Sequence, residues 1–256
     1  MPFDVKDLTV TLGRATILNG ISFRLPPRGV TGIIGPNGCG KSTLLRSLAG
    51  VLPTKGQTVL HEGTDIATLS PKTRARRIAM LPQAAEAPPG LTVRQLAARG
   101  RTPWLRPFMP MRAADHEAIT RALKAMNMID LADRQLDSLS GGQRQRAWIA
   151  LVLAQASGTI LLDEPLNFLD LPHQTELVHL LRSLAQSHAV IMIIHDLTIA
   201  ARLCDHVVAM KAGRLIASGP PERTLAPANL RETFGIDFQC DLFPGDAKPV
   251  IVPVGL

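Results

Sequence analysis

Nine consecutive residues, Gly35-Pro36-Asn37-Gly38-Cys39-Gly40-Lys41-Ser42-Thr43, fill the pattern G-x-x-x-x-G-K-[ST] directly after the apolar run Val30–Ile34. Such a loop turns successive backbone N–H groups inward at the start of a helix, whose positive end adds to them, so a polyphosphate is held by fixed dipoles. Gly35, Gly38 and Gly40 permit close approach where side chains would obstruct it. Lys41 is expected to reach the β and γ phosphates, and Ser42 to offer its hydroxyl to Mg²⁺. Further along, Asp163-Glu164-Pro165 follow the strand pattern Thr159–Leu162, which sets two carboxylates at the carboxyl end of a buried strand, where ligands bind in open α/β sheets. Asp163 is expected to hold Mg²⁺ through its water shell, and Glu164 to orient and polarise an attacking water.

Three further features suit the same chemistry. His195 follows Val190–Ile194 at the same sheet edge, within reach of a γ-phosphate and its water. The other histidines, His61, His116, His173, His179, His188 and His206, read as surface residues without metal-ligand spacing. Gln83, after the apolar Ile78–Leu81, is an amide donor and acceptor at a strand end, suited to touching Mg²⁺ or water. Leu139-Ser140-Gly141-Gly142-Gln143 opens a helix running through Arg144 to Ala154; Ser140 can cap it, and its small residues make a second anion site. One nucleotide does not need two phosphate cradles in one subunit, whereas a second copy of the chain accounts for both. Cys39 lies within the first cradle, so a thiol reagent is expected to block nucleotide binding and nucleotide to protect; the alternative is a small filler. The three cysteines are odd in number and widely spaced, which supports neither a disulfide framework nor a zinc site.

The elements that must position these residues read as α/β. Phe3–Leu12, Gly20–Leu25 and the stretch 57–62 look like short antiparallel strands broken by turn residues. Val30–Ile34, Ile160–Leu162 and Val190–Ile194 have the continuous apolar character of parallel strands buried on both faces. After Asp170, an N-cap candidate, Leu177, Leu180, Leu181 and Leu184 recur at helical spacing. From Gln83 to Ser157 loops rich in Pro join helices rich in Ala and Leu, with Ile119, Ala122, Leu123 and Met126 on one face; Met126 and Met128 read as gap fillers. The expected division is a core of residues 1–83 and 157–219, a helical subdomain 84–156 and a tail 220–256 holding a short helical pattern and Val250–Val252. With 46% hydrophobic and 19% charged residues the composition excludes a disordered chain, and no apolar run is long enough to span a bilayer. Nothing at the start resembles a leader, so a reducing cytoplasmic place is expected. The net charge of +7, spread out apart from Arg74, Arg76 and Arg77, points to an anionic membrane surface rather than nucleic acid.

Taken in order, these stretches resemble the nucleotide-binding subunits of ABC transporters: Walker A at Gly35–Thr43, Q-loop at Gln83, LSGGQ at Leu139–Gln143, Walker B at Thr159–Glu164, a D-loop ending at Asp170 and a switch histidine at His195. The resemblance implies a P-loop NTPase core with an antiparallel side sheet and an inserted helical subdomain. It implies ATP with Mg²⁺, and a head-to-tail homodimer in which each ATP sits between one chain's Lys41 and the partner's Ser140 and Gly142. Glu164, His195 and Gln83 would then be catalytic. Gly35 through Thr43, Ser140 through Gln143 and Asp170 would contact nucleotide, and Ser42, Gln83 and Asp163 the metal. Closer similarity is to importers of ferric siderophores, haem and cobalamin, the siderophore branch nearest, through LTVRQLAARGR, DSLSGGQRQRAWIALVLAQ, LLDEPLNFLDLPHQ and IIHDLTIAARLCDHVVAMKAGRLIASG. That similarity implies two membrane permease subunits, moved through the helical insert and its segment Thr102–Pro110. It also implies a periplasmic or surface substrate-binding protein acting indirectly, and a peripheral place at the cytoplasmic face of the bacterial inner membrane. The alternative is a soluble ABC ATPase of iron–sulphur assembly or another non-transport process. Two positions depart from the family pattern: Leu12 stands where an aromatic commonly stacks on adenine, and Phe168 where a small residue is common, either packing across the dimer or filling core.

Overall fold

The computed structural model describes residues 3–54, 58–83, 86–167, 169–242, 245 and 248–255. They fall into two compact units, residues 1–69 with 184–256, and residues 70–183; the helical segment expected at 84–156 lies inside the second.

The first unit opens with β1 (Phe3–Leu12) and β2 (Ala15–Arg24), paired antiparallel. Alternation in β1, shifted one place by an irregularity between Val5 and Leu8, buries Phe3, Val5, Leu8 and Val10. β2 starts at Ala15 rather than Gly20, because Asn19-Gly20 forms a bulge between the pairs Leu8↔Ile21 and Val10↔Leu18 instead of a turn; Gly20 takes φ 63° and donates its N–H to Thr9 Oγ1. β3 (Gly29–Ile34) is apolar on both faces and buried, and α1 (Lys41–Leu48) follows with Leu44, Leu45 and Leu48 fully buried. β4 (Val59–His61) and β5 (Thr64–Asp65) complete a side sheet of order β2-β1-β4-β5. His61 corrects the surface reading: it is 1% exposed and meets Phe3 edge-on, ring centroids 5.0 Å apart. The same alternation that buries Val59 buries the residue two places on.

The second unit begins with α2 (Pro71–Arg77), capped by Ser70, and β6 (Ile78–Leu81). Next come α3 (Val93–Arg99), started by a capping box between Thr92 and Gln95, then α4 (Ala113–Ala125) and α5 (Gly141–Ala154). Ala118, Ile119, Ala122 and Leu123 of α4 are buried, and Met126 and Met128 fill the core below them. Gly100 lets α3 approach α5 closely: a Cβ there would lie 2.2 Å from Leu151 O. β7 (Thr159–Leu162) pairs parallel to β6, and α6 (Leu171–Leu184) follows.

The chain then returns to the first unit with β8 (Ala189–Ile193), α7 (Leu197–Leu203), β9 (His206–Lys211) and β10 (Arg214–Gly219). β3 lies between β8 and β9, parallel to both, in the order β10-β9-β3-β8. The phosphate-loop strand is therefore flanked on both sides by buried strands. The tail adds α8 (Pro221–Thr224), α9 (Pro227–Phe234) and the pair β11 (Phe238–Asp241) and β12 (Val250–Pro253), which is tied to α7 where Ile251 N donates to Thr198 Oγ1 at 3.1 Å. Among the described residues no helix is long and apolar enough to cross a membrane.

Candidate functional site

The glycine-rich loop leaves the end of β3 under steric control. A Cβ on Gly35 would lie 2.2 Å from Met210 O and 2.8 Å from Cys39 Sγ, and one on Gly40 2.8 Å from Leu18 Cδ2. Gly40 is also the N-cap of α1, at φ 103°, a backbone only glycine takes readily. No side chain caps α1, and a helix start of this kind is where an anion completes the first-turn N–H groups. Lys41, 6% exposed, donates its ammonium to Gly35 O and Pro36 O, both at 2.9 Å. Glycine backbone at close approach, an uncapped helix start and a cation across the loop carbonyls are what a triphosphate requires, so the residues present fit that group. Ser42 and Thr43 form the half-buried first turn, while Asn37 and Gly38 are exposed. Cys39 corrects the expectation of a reactive thiol: it is 4% exposed, and burial raises its pKa more than Lys41 lowers it. A protonated, buried thiol is a poor nucleophile, so Cys39 is the small filler.

His195 belongs to the same unit. Ile194 N donates to Ile33 O at 3.1 Å, carrying the β3–β8 pairing one step further. The exposed His195 therefore leaves β8 at the end of β3 from which the phosphate loop departs. Asp196 holds it there by capping α7 through Ile199 N at 2.8 Å.

In the second unit, Asp163 N donates to Leu81 O at 2.9 Å, so Gln83 and Glu164 leave adjacent strand ends together. Gln83 Nε2 donates to Glu164 Oε2 at 2.6 Å, and Asn167 Nδ2 donates to the same oxygen. Glu164 takes φ 54°, a left-handed backbone that costs a non-glycine residue about 1 kcal/mol or more and is tolerated where the surroundings over-determine it. Here Gln145 Nε2 holds Pro165 O at 3.1 Å and Gln174 Nε2 holds Leu166 O at 3.2 Å. Asn167 was missed as a site residue, although an amide three places after an acid at a strand end is a readable signal. Asp163 is 3% exposed. The hydroxyl of Ser42, the carboxylate of Asp163 and the amide oxygen of Gln83 are the hard oxygen donors Mg²⁺ prefers.

Ser140 caps α5 in a reciprocal box: Gln143 N donates to Ser140 Oγ at 3.3 Å and Ser140 N to Gln143 Oε1 at 3.1 Å. Gly141 is open, whereas a Cβ on Gly142 would lie 2.9 Å from the His173 ring. His173 is half-buried rather than a surface residue. Its ring and its N–H both bond Asp170 Oδ1, and the ring's hydrogen bond is the main reason the Asp170 carboxyl lies below the usual range. Asp170 starts α6 as the N-cap reading expected, accepting Gln174 N at 2.9 Å. His173 thus joins the glycine pair to the D-loop end, a link the spacing of the two stretches does not reveal. Phe168 lies outside the described residues. Leu12 is 45% exposed at the end of β1.

Set beside known proteins, the model of the family described as "ABC transporter" matches residues 18–167. YusV of Bacillus subtilis, the ATP-binding protein of a probable siderophore transport system, is 44% identical over 98% of this chain and 92% of its own length. FepC of Escherichia coli, the ferric enterobactin transport ATP-binding protein, is 39% identical over 98% and 93%. Among solved structures, one chain of an ABC transporter in an inward-facing conformation superposes with a TM-score of 0.86 at 26% identity, covering 99% of this chain and 97% of that one.

Proposed function

The chain belongs to the ABC transporter family, and from that premise we propose that this ATPase is the energising subunit of an importer taking up an iron chelate, a ferric siderophore, through separate membrane permease subunits. The observation that carries the ATPase chemistry is the cradle at Gly35–Lys41, where Gly35 and Gly40, crowded at the Cβ position, meet an uncapped helix start and a buried ammonium. The cargo rests on likeness to YusV and FepC, whose names carry siderophore transport.

ATP is the substrate. Backbone N–H groups from Gly35 to Thr43 hold its phosphates, and Lys41 exchanges the carbonyls of Gly35 and Pro36 for phosphate oxygens. Ser42, Asp163 and Gln83 hold Mg²⁺, which when bound neutralises charge on the β and γ phosphate oxygens. Glu164 accepts the proton of the attacking water; Gln83 and Asn167, both bonded to its Oε2, aim the carboxylate. His195 contacts the γ-phosphate. Two copies of the chain close on two ATP molecules, the partner's Ser140, Gly141, Gly142 and Gln143 meeting the γ-phosphate and Asp170 lining the interface. Loss of that phosphate lets the copies part, and the alternation drives two permease subunits, which receive the chelate from a substrate-binding protein outside. The chain then works peripherally, at the cytoplasmic face of the bacterial inner membrane.

The test is recovery of the tagged chain from gently solubilised native membranes, with ATPase assayed on adding the periplasmic fraction and ferric siderophore. Recovery with a polytopic permease and chelate-stimulated hydrolysis is expected. Recovery only from the soluble fraction, with iron–sulphur assembly proteins, would overturn import while leaving the ATPase standing.

A further inference from the structure

The loop between α3 and α4 is rigid at its neck and bare at its tip. At the neck Arg101 and Asp115 form an ion pair of 2.9 Å, their side chains 8% and 7% exposed, and Arg101 also donates to Ala154 O at 2.8 Å. Trp104 donates to Gln155 O at 2.7 Å, with the guanidinium groups of Arg76 and Arg101 4.7 and 5.2 Å from its ring centroid. Arg76 and Lys72 of α2 donate to Pro103 O and Leu105 O, each at 3.0 Å. Burying an ion pair is costly, so a neck this strongly tied is there to aim something. What it aims is a β-turn closed by Met109 N donating to Arg106 O, with Pro107 second and Phe108 third. The third place has φ 60°, where glycine or asparagine is the usual occupant. Phe108 is fully exposed and Met109 is 56% exposed. A bulky aromatic is thus held in a strained backbone with its ring in water, and that arrangement points to a contact the isolated chain does not make.

Charge identifies the contact. Of the chain's 28 Lys and Arg, nine fall in residues 71–112, which hold one of its 21 acidic residues; two of the nine, Arg94 and Arg101, are paired with Asp133 and Asp115 from outside that stretch. The rest of the chain, with nineteen basic and twenty acidic residues, is balanced. The positive charge is therefore not spread out, as the sequence first suggests, but gathered on α2, α3 and this loop, with Arg106 and Arg112 exposed on either side of the tip. Cytoplasmic loops of a permease carry an excess of Lys and Arg, so they would repel such a stretch. Anionic headgroups attract it, each nearby Lys or Arg contributing about 1 kcal/mol. An apolar tip flanked by arginine is the pattern of a segment that enters the headgroup layer.

We propose that the Phe108–Met109 turn, with Arg106 and Arg112, is a membrane-contact finger that docks this subunit onto anionic lipid. This revises the expectation that the segment Thr102–Pro110 meets the permease, and it rests on the transporter reading only in that the chain works beside a membrane.

The purified full chain is mixed with vesicles of phosphatidylcholine alone and of phosphatidylcholine with phosphatidylglycerol, and the bound fraction is read by flotation. Binding to the anionic vesicles is expected, falling as salt rises. Phe108→Ser with Met109→Ser should weaken it about tenfold or more. Arg106→Gln with Arg112→Gln should remove the preference for phosphatidylglycerol. These side chains are exposed, so unchanged thermal unfolding and unchanged ATPase activity in solution certify that the variants fold. Wild-type chain that ignores both vesicles overturns the inference, even if it co-purifies with a permease and import stands. A serine variant that floats like wild type but loses the permease also overturns it, assigning the finger to a protein cleft. Vesicle binding as expected with no permease recovered keeps the finger and removes the importer.

Discussion

Two helix N-termini in this chain are suited to anions, and they are finished differently. α1 begins at Gly40 without a side-chain cap, inside a loop in which a Cβ on Gly35 or Gly40 would clash and whose carbonyls are bridged by Lys41. α5 begins at Ser140 with its cap hydrogen bonds satisfied by Ser140 and Gln143, on an exposed face. The first has no side chain on its N–H groups; the second has the Gln143 N–H already held by Ser140, yet offers a serine hydroxyl and two small residues to something outside. A terminus of the first kind binds by itself. A terminus of the second kind needs its ligand delivered already bound, and in the proposed homodimer a second copy of the chain carrying ATP would do that.

The comparison meets its largest test at Glu164. Glu164→Gln removes the proposed proton acceptor while keeping a partner for Gln83 and Asn167, so turnover should fall by about 10²–10⁴ with ATP still held at α1. With hydrolysis stopped, ATP should also hold two copies together, which light scattering reads as a doubled mass. A monomer that retains ATP would show that the α5 terminus never meets it, and the contrast between the two ends would lose its functional meaning.

Ser140→Ala is the next step down. Removing the hydroxyl leaves the N–H of Gln143 uncapped, at a stability loss of about 1 kcal/mol. If α5 serves the ATP of the other copy, turnover should drop more than tenfold, about 1.4 kcal/mol or more, while single-chain ATP affinity stays unchanged. Titration calorimetry on the monomer and steady-state turnover separate the two. Loss of stability with turnover intact would make Ser140 a cap and nothing more.

The elements around α1 were legible because their signals are local: an apolar run, glycines at fixed offsets, then a leucine-rich helix. The strand-end acids were legible for the same reason. What escaped is non-local. Asn19-Gly20 reads as a turn but is a bulge, since its pairing with β1 is decided by residues ten or so places away. His61 reads as polar surface but lies on the buried face of β4, where Phe3 covers it. His173 looked idle until folding set it between Gly142 and Asp170. Cys39 looked reactive in a loop that sequence presents as open, whereas it is buried with its Sγ against Gly35. The β9–β10 hairpin was not read from the residues, because the apolar part of β9, Val207–Met210, is a short continuous run that periodicity does not assign.

The smallest expected effect concerns the far end of the nucleotide. The phosphate recognition proposed at α1 relies on backbone N–H groups and Lys41, none of which reads the base. At the position matching the usual adenine-stacking aromatic stands Leu12, 45% exposed and without a π face, and the chain has no tyrosine to replace it. Apolar contact from leucine discriminates poorly between purines, because it neither stacks nor hydrogen-bonds the exocyclic groups in which adenine and guanine differ. ATP and GTP affinities should therefore lie within about tenfold, or 1.4 kcal/mol, by competition against a fluorescent nucleotide. Leu12→Tyr should favour both purines through its ring, strengthening binding several-fold without opening a large gap between them. A wild-type preference well beyond tenfold would mean that a base-reading group lies elsewhere, and that the cradle's end of the site is not the only end built for specificity.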